Sequence, residues 1–213
     1  MSKPNKRWGM VIDLNKCIGC HSCSVACKAE NEVPPAVFRS WVKIAEKGSY
    51  PTARSLALPV LCNNCADAIC VKVCPVKASY QRDDGIVMVD PHKCVGCKYC
   101  MAACPYQVRH LNPLRRYVQK CYFCYQRVDA GLKPACVETC PAGARVFGDL
   151  NDPASEVSRL IIENPTQVLK PEAGTKPSVY YIGLDKDIAD PLKGVDLDHY
   201  IKHSPESLEG IFE

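Results

Sequence analysis

Apolar residues in this chain come in short runs divided by polar, Gly- and Pro-containing stretches. Trp8-Gly-Met-Val-Ile12 and Ile86-Val-Met-Val89 are compact apolar runs that predict strands, and Ser178-Val-Tyr-Tyr-Ile182 predicts a third. Asn151-Asp-Pro153 reads as a helix start, with a helix over Ala154–Glu163. Residues 31–61 contain Pro34-Pro35 and an aromatic segment around Phe38 and Trp41, which predicts a hairpin or loop. Beyond the last strand, Leu192, Leu197, Tyr200 and Ile201 are loosely spaced among charges. They read as surface packing or as a strap over a partner chain. The longest apolar stretches, such as Leu56-Ala-Leu-Pro59-Val-Leu61, are short and broken by proline. A bilayer crossing needs roughly 18–20 apolar residues, so no membrane span is expected.

Composition changes this picture at one point. Of 213 residues, 47% are hydrophobic and 23% charged, as in ordinary globular chains, but sixteen are Cys. Three bland readings compete: a secreted disulfide scaffold, a zinc protein, and buried thiols acting as small apolar residues. A disulfide scaffold calls for a secretory signal. The stretch from Met1 to Trp8 has no apolar segment and no twin arginine, so the cysteines are expected to be loaded in the reducing cytoplasm. The net charge of +4 comes from scattered Lys and Arg with no interleaved aromatics, and no nucleic-acid role is expected.

Spacing sorts the cysteines into four groups. Cys17, Cys20, Cys23 and Cys27 are separated by two, two and three residues. Cys62, Cys65, Cys70 and Cys74 are separated by two, four and three, with Pro75 following. Cys94, Cys97, Cys100 and Cys104 repeat the first spacing and precede Pro105; Cys121, Cys124, Cys136 and Cys140 are separated by two, eleven and three and precede Pro141. No Cys falls outside the groups. Three thiolates at C-x-x-C-x-x-C wrap a tight loop around a cubane and leave one iron corner open. That loop aims backbone N–H groups inward, and Gly19 and Gly96 occupy the matching permissive place. The fourth Cys, three residues on, lies on the following helix; in two-cluster ferredoxins it fills the open corner of the other cluster. A lone C-x-x-C is weak evidence, but zinc sites rarely crowd four thiolates into eleven residues. The groups therefore point to four [4Fe–4S] clusters.

The chain also repeats itself. Asp13-Leu-Asn-Lys16-Cys17-Ile-Gly19-Cys20 matches Asp90-Pro-His-Lys93-Cys94-Val-Gly96-Cys97 at an offset of 77 residues, through Ala26-Cys27 and Ala103-Cys104. Cys70-Val71 to Cys74-Pro75 and Ala78 likewise match Cys136-Val137 to Cys140-Pro141 and Ala144. The expected fold is α+β: two pseudo-symmetric ferredoxin-like modules, each for two [4Fe–4S] clusters, with an insertion and a Cys-free C-terminal extension. A ferredoxin module has a strand before the first loop and a short helix after it, placing helices near 21–29 and 98–104. Residues 1–30 and 115–150 form one module with the first and fourth groups, and 58–114 the other with the second and third. Residues 31–57 are the insertion, and 151–213 an extension that packs on a partner subunit. Lys16, Lys93 and Lys120 directly precede the first Cys of three groups, with Lys28 and Lys98 beside others. A cation there stabilises the reduced, more anionic cluster and raises its potential. No nucleophile is paired with a base and no Gly-rich phosphate loop is present, so no catalytic residue is assigned. His21, Ser22 and Ser24 read as loop residues; His92 and His110 are weak candidates for protonation near a cluster.

Taken together, these tetrads, with Cys121-Tyr-Phe-Cys124 and Pro134-Ala-Cys136, resemble the four-cluster iron–sulfur (beta) subunits of the dimethyl sulfoxide reductase-type molybdopterin oxidoreductases. Lys170-Pro-Glu-Ala-Gly-Thr175-Lys-Pro-Ser-Val-Tyr-Tyr-Ile182 looks most like the polysulfide, thiosulfate, tetrathionate or arsenate reductase partners. Spacing alone leaves pairing between adjacent groups open; the resemblance implies a nested one. One cluster then takes Cys17, Cys20, Cys23 and Cys140; a second Cys121, Cys124, Cys136 and Cys27; a third Cys62, Cys65, Cys70 and Cys104; a fourth Cys94, Cys97, Cys100 and Cys74. Cys97 stands where the nitrate reductase branch has Trp and a [3Fe–4S] cluster, so four cubanes are implied. The resemblance further implies electron transfer between a molybdopterin catalytic subunit, facing the first-group cluster, and an integral-membrane quinone-reactive subunit, facing the third-group cluster. Sulfur- or arsenic-compound respiration and a peripheral place on the periplasmic face, reached with a partner's signal, are implied as well, with the cytoplasm as the alternative. The alternative function is a polyferredoxin-type electron-transfer subunit of a hydrogenase, formate or carbon monoxide dehydrogenase system.

Overall fold

The computed structural model describes residues 6–191 and 193. Strand β1 (Trp8–Asp13) leads through the first cysteine loop into α1 (Ser22–Glu30), followed by β2 (Ser40–Lys47) and β3 (Arg54–Leu61). Next come α2 (Ile69–Lys72), β4 (Ser79–Gln81), β5 (Val87–Val89), α3 (Tyr99–Ala102), β6 (His110–Leu111) and β7 (Val118–Gln119). Then follow α4 (Tyr125–Asp129), α5 (Ala135–Glu138), β8 (Arg145–Asp149), α6 (Glu156–Glu163), β9 (Thr166–Gln167) and β10 (Val179–Ile182).

Among the described residues, one sheet has four strands in the order β8-β1-β10-β9, and three pairs are isolated hairpins. β1 runs antiparallel to β8 and parallel to β10, with Met10 opposite both Phe147 and Val179. Because a strand alternates its faces, Met10 and Ile12 enter the main core while Val11 packs under α6 with Val157 and Ile182. β1 is thus buried on both sides, as its unbroken apolar run requires. Residues 31–61 do contain a hairpin: Ser40 to Lys47 pair with Leu61 to Arg54. Its base enters the main core through Leu58, Val60 and Leu61, and the Tyr181 hydroxyl donates to the Pro59 carbonyl (2.9 Å).

Three sequence expectations change in extent. The expected 98–104 helix is a single turn, α3, entered through Lys98 at φ 64°. α6 begins at Glu156 rather than Ala154, because Asp152 turns the chain first: its Oδ1 accepts from Ala154 N and its carbonyl from Ser155 N. The extension expected from residue 151 is joined to the cysteine-bearing part of the fold as far as Ile182. β10 lies inside the main sheet, and backbone bonds join Thr175, Lys176 and Ser178 to Asp67, Ala66 and Asn63. Leu197, Tyr200 and Ile201, with Leu192, lie outside the described residues.

Candidate metal centres

All sixteen thiols are free. Cys17 and Cys20 sit on the loop after β1, Cys23 and Cys27 on α1, and Cys140 just beyond α5. The loop can turn this tightly because Gly19 and its counterpart Gly96 are left-handed, at φ 68° and 67°. Cys17, Cys20, Cys23 and Cys140 line one cavity with Val42, Pro59 and Arg145. Cys27, Cys121, Cys124 and Cys136 line another with Asn31, Arg39 and Tyr122. Cys23 and Cys27 are one helical turn apart, so α1, packed on α5, forms a wall of both cavities.

The second half of the cysteines sits on shorter elements. Cys62 directly follows β3, Cys70 lies on α2 and Cys74 just past it; Cys100 lies on α3, which packs against α2, and Cys104 follows. Burial first, then the nearby Cys62 with Cys70 and Cys104, pushes the Cys65 thiol up to about 12. Burial first, then Cys136 and Cys124, raises Cys27 to about 12 as well. Cys121 is raised well above its ordinary value, again by burial first and then by Cys27. Cys94 and Cys97 lie on the Gly96 loop, with Cys97 exposed.

The donor set fits an anionic cluster bound by thiolates. Thiols this hard to ionise alone need a cationic centre to deprotonate them, and the iron of a cluster supplies one. Arg145 and Arg109 are buried with Nη2 against sulfur, on Cys23 (3.3 Å) and Cys70 (2.8 Å). Each Nη1 has no partner among the described residues. A buried guanidinium with an orphan donor beside sulfur calls for an anion at that place. Among the described residues, no three His, Cys, Asp or Glu side chains converge on a single-ion site; the thiols of the first two sets line cavities instead.

The predicted cations separate. Lys16 and Lys93 are exposed and held by Asp13 (3.7 Å) and Asp90 (3.8 Å). Lys120 alone of the three is buried, its Nζ donating to Asn64 Oδ1 (2.8 Å) and the Cys121 carbonyl (2.7 Å). Burial lowers its pKa from the usual lysine value, against the pull of the Cys62 thiol. His92 is exposed; His110 is lowered to about 4, by burial and then by Arg39, and stays neutral at physiological pH. His21, also exposed, is left-handed where α1 begins, and Ser22 Oγ accepts from Cys20 Sγ (3.3 Å). The residues missed from the sequence are Arg109 and Arg145. A signal for them existed: Cys104-Pro-x-x-x-Arg109 and Cys140-Pro-x-x-x-Arg145 are the same motif.

Comparison with known proteins agrees with this donor set. Residues 53–150 match the 4Fe-4S dicluster domain family and residues 8–29 a 4Fe-4S binding domain. A tetrathionate reductase subunit of Salmonella typhimurium is 48% identical, over 90% of this chain and 78% of that protein. A polysulfide reductase chain of Wolinella succinogenes is 43% identical, over 83% and 94%. The arsenate respiratory reductase iron–sulfur subunit of a Shewanella species is 40% identical, over 83% and 96%. With its thiols so arranged and its relatives so consistent, this protein belongs to the iron–sulfur (beta) subunits of the dimethyl sulfoxide reductase-type molybdopterin oxidoreductases, electron-transfer subunits without a catalysis of their own.

Proposed function

We propose that the chain relays electrons through four [4Fe–4S] clusters between a membrane quinone-reactive subunit and a molybdopterin catalytic subunit, in the respiration of sulfur or arsenic compounds. The ligand sets are Cys17, Cys20, Cys23 and Cys140; Cys121, Cys124, Cys136 and Cys27; Cys62, Cys65, Cys70 and Cys104; and Cys94, Cys97, Cys100 and Cys74. When bound, such clusters each take up and release one electron, at potentials set by ligands, charge and burial.

The observation that carries the reading is the pair Cys23 and Cys27, one helical turn apart, each lining a different four-thiol cavity. A helix shared in this way holds neighbouring centres at a short, fixed separation, the requirement for a wire. The sequence repeat and the packing of α1 on α5 and α2 on α3 support two related modules. At the outer ends, Cys20 and Cys97 are exposed beside exposed apolar residues, Ile18 and Val25 at one and Val95 and Tyr99 at the other. Such ends suit docking against electron-donating and electron-accepting subunits. The relatives' names as parts of tetrathionate, polysulfide and arsenate reductases support the substrate class, and the family itself supports the molybdopterin partner. The family resemblance further supports a place on the periplasmic face, which protease accessibility in spheroplasts tests.

Anaerobic purification tests the central reading. It predicts about sixteen iron and sixteen sulfide per chain, a brown protein bleached by dithionite, and co-purification of a large molybdopterin subunit. A colourless, zinc-loaded chain refutes it; hydrogenase, formate or carbon monoxide dehydrogenase subunits in the complex select a polyferredoxin instead.

A further inference from the structure

Each of the three gaps between successive thiol sets holds one buried cation. Arg145, 3% exposed, donates from Nη2 to Cys23 Sγ (3.3 Å) and Ser40 Oγ (3.2 Å). Its other strong electrostatic neighbour is Cys136, a thiol of the second set. Lys120, fully buried, is tied to Asn64 and to the backbone of Cys121 in the second set. Its charge also faces Cys62 and Cys70 of the third. Arg109, 5% exposed, donates to Cys70 Sγ (2.8 Å) and Ser79 Oγ (3.2 Å) and reaches Cys100 of the fourth set. The order along the wire is therefore first set, Arg145, second set, Lys120, third set, Arg109, fourth set.

We propose that Arg145, Lys120 and Arg109 are positioning residues for electron transfer, each holding up the potentials of the two clusters that flank it. The inference rests on the four-cluster reading above. Adding an electron to a cluster adds negative charge in a place shielded from water, where a nearby fixed cation is weakly screened. A cation on the dividing line favours the electron on either side alike. It raises both neighbours together and opposes a deep trap at one of them. Arg39 is the internal contrast: it lines the second cavity and acts on Cys27, with no described contact to the other sets. It should tune one centre only.

The test is a redox titration, followed by electron paramagnetic resonance, of the anaerobically purified full-length protein in its complex. Arg145→Gln should lower the first and second potentials, Lys120→Met the second and third, and Arg109→Gln the third and fourth. The expected size is at least a tenfold fall in each affected reduction equilibrium, about 59 mV for one electron. Arg39→Gln should lower the second alone. Arg145→Lys, Lys120→Arg and Arg109→Lys, which keep the charge, should restore most of the shift. A neutral variant that fails to load iron while its charge-keeping partner loads fully also supports the proposal. Neutral variants that load four clusters with unshifted potentials, or with all four shifted equally, overturn it. So does equal failure of neutral and charge-keeping variants, which marks a requirement for shape. A wild-type chain with fewer than four clusters fails at the iron assay, before any variant is made, and removes the underlying reading instead.

Discussion

The two halves of the cysteine plan use similar spacings on very different scaffolds. In one half, α1 is nine residues long, packs on α5, and is backed by a four-stranded sheet that joins residues 8–13 to residues 179–182. There five of the eight cysteines, Cys23, Cys27, Cys121, Cys124 and Cys136, are buried, Cys17 and Cys140 are partly buried and Cys20 is exposed. In the other half, α2 and α3 are four residues each and the strands are two short hairpins. There only three of the eight, Cys62, Cys100 and Cys104, are buried; Cys65, Cys70, Cys74 and Cys94 are partly buried and Cys97 is exposed. A cysteine loop thus needs little more than one turn of helix and a left-handed glycine. The surrounding scaffold sets burial, and burial and nearby charge set potential.

The comparison breaks most visibly at the ligands. Cys27→Ser removes a thiol from the helix shared by two cavities and should disturb both. Cys97→Ser, at the exposed end, should convert or remove only the third-group cluster, about a quarter of the iron or less. Iron and sulfide assays with paramagnetic resonance separate these outcomes, and loss of the first-group signal in Cys97→Ser would refute the nested ligand sets.

The glycines come next. Gly19→Ala should cost about 1–2 kcal/mol for its left-handed backbone, since its added Cβ meets only the side chains of Ile44 and Ala57, at 3.0 and 3.4 Å. Gly96→Ala should cost more, because its Cβ would lie 2.9 Å from the Arg116 carbonyl, which cannot swing away. Denaturant midpoints of the loaded protein measure the difference; equal costs contradict the tighter packing of the Gly96 loop.

Smaller effects come from single hydroxyls. Tyr181→Phe leaves the Pro59 carbonyl without its donor, and Tyr106→Phe breaks a 2.6 Å bond to Thr175 Oγ1. Each should cost about 1 kcal/mol. The first weakens the seam between sheet and hairpin, the second that between the third-group segment and residues 175–178; hydrogen exchange shows which amides open.

Asp129→Asn should matter least. Its bidentate pair with Arg82 joins the two halves at the surface (2.8 and 2.9 Å) and should contribute about 0.2–1 kcal/mol. The bond from Arg82 holds the Asp129 carboxyl below its ordinary value. The contribution is therefore complete above the unfolded value of about 3.9 and fades as pH falls through the lower folded one. Melting temperatures of the two proteins should converge in acid.

Much of the site was legible because a tight metal-binding loop is a local object. Cys17 to Cys27 and Cys94 to Cys104 carry their geometry in their spacing, and Gly19 and Gly96 announce the backbone they adopt. The apolar runs of β1 and β10 were equally plain. Burial of the cations was not legible. Lys16, Lys93 and Lys120 look alike beside their cysteines, yet two point to water and one is sealed in. The Cys-Pro-x-x-x-Arg motif was visible as a repeat but said nothing of where its guanidinium points.

By itself, the sequence determined the four thiol groups, their internal duplication and the short elements that carry them, because those depend on neighbours a few residues apart. Only the tertiary structure decided that β10 enters the sheet beside β1, that one helix serves two cavities, and that Arg145, Lys120 and Arg109 are each buried beside cysteines from different groups. Such facts depend on which distant segments exclude water from one another, and no local pattern records that.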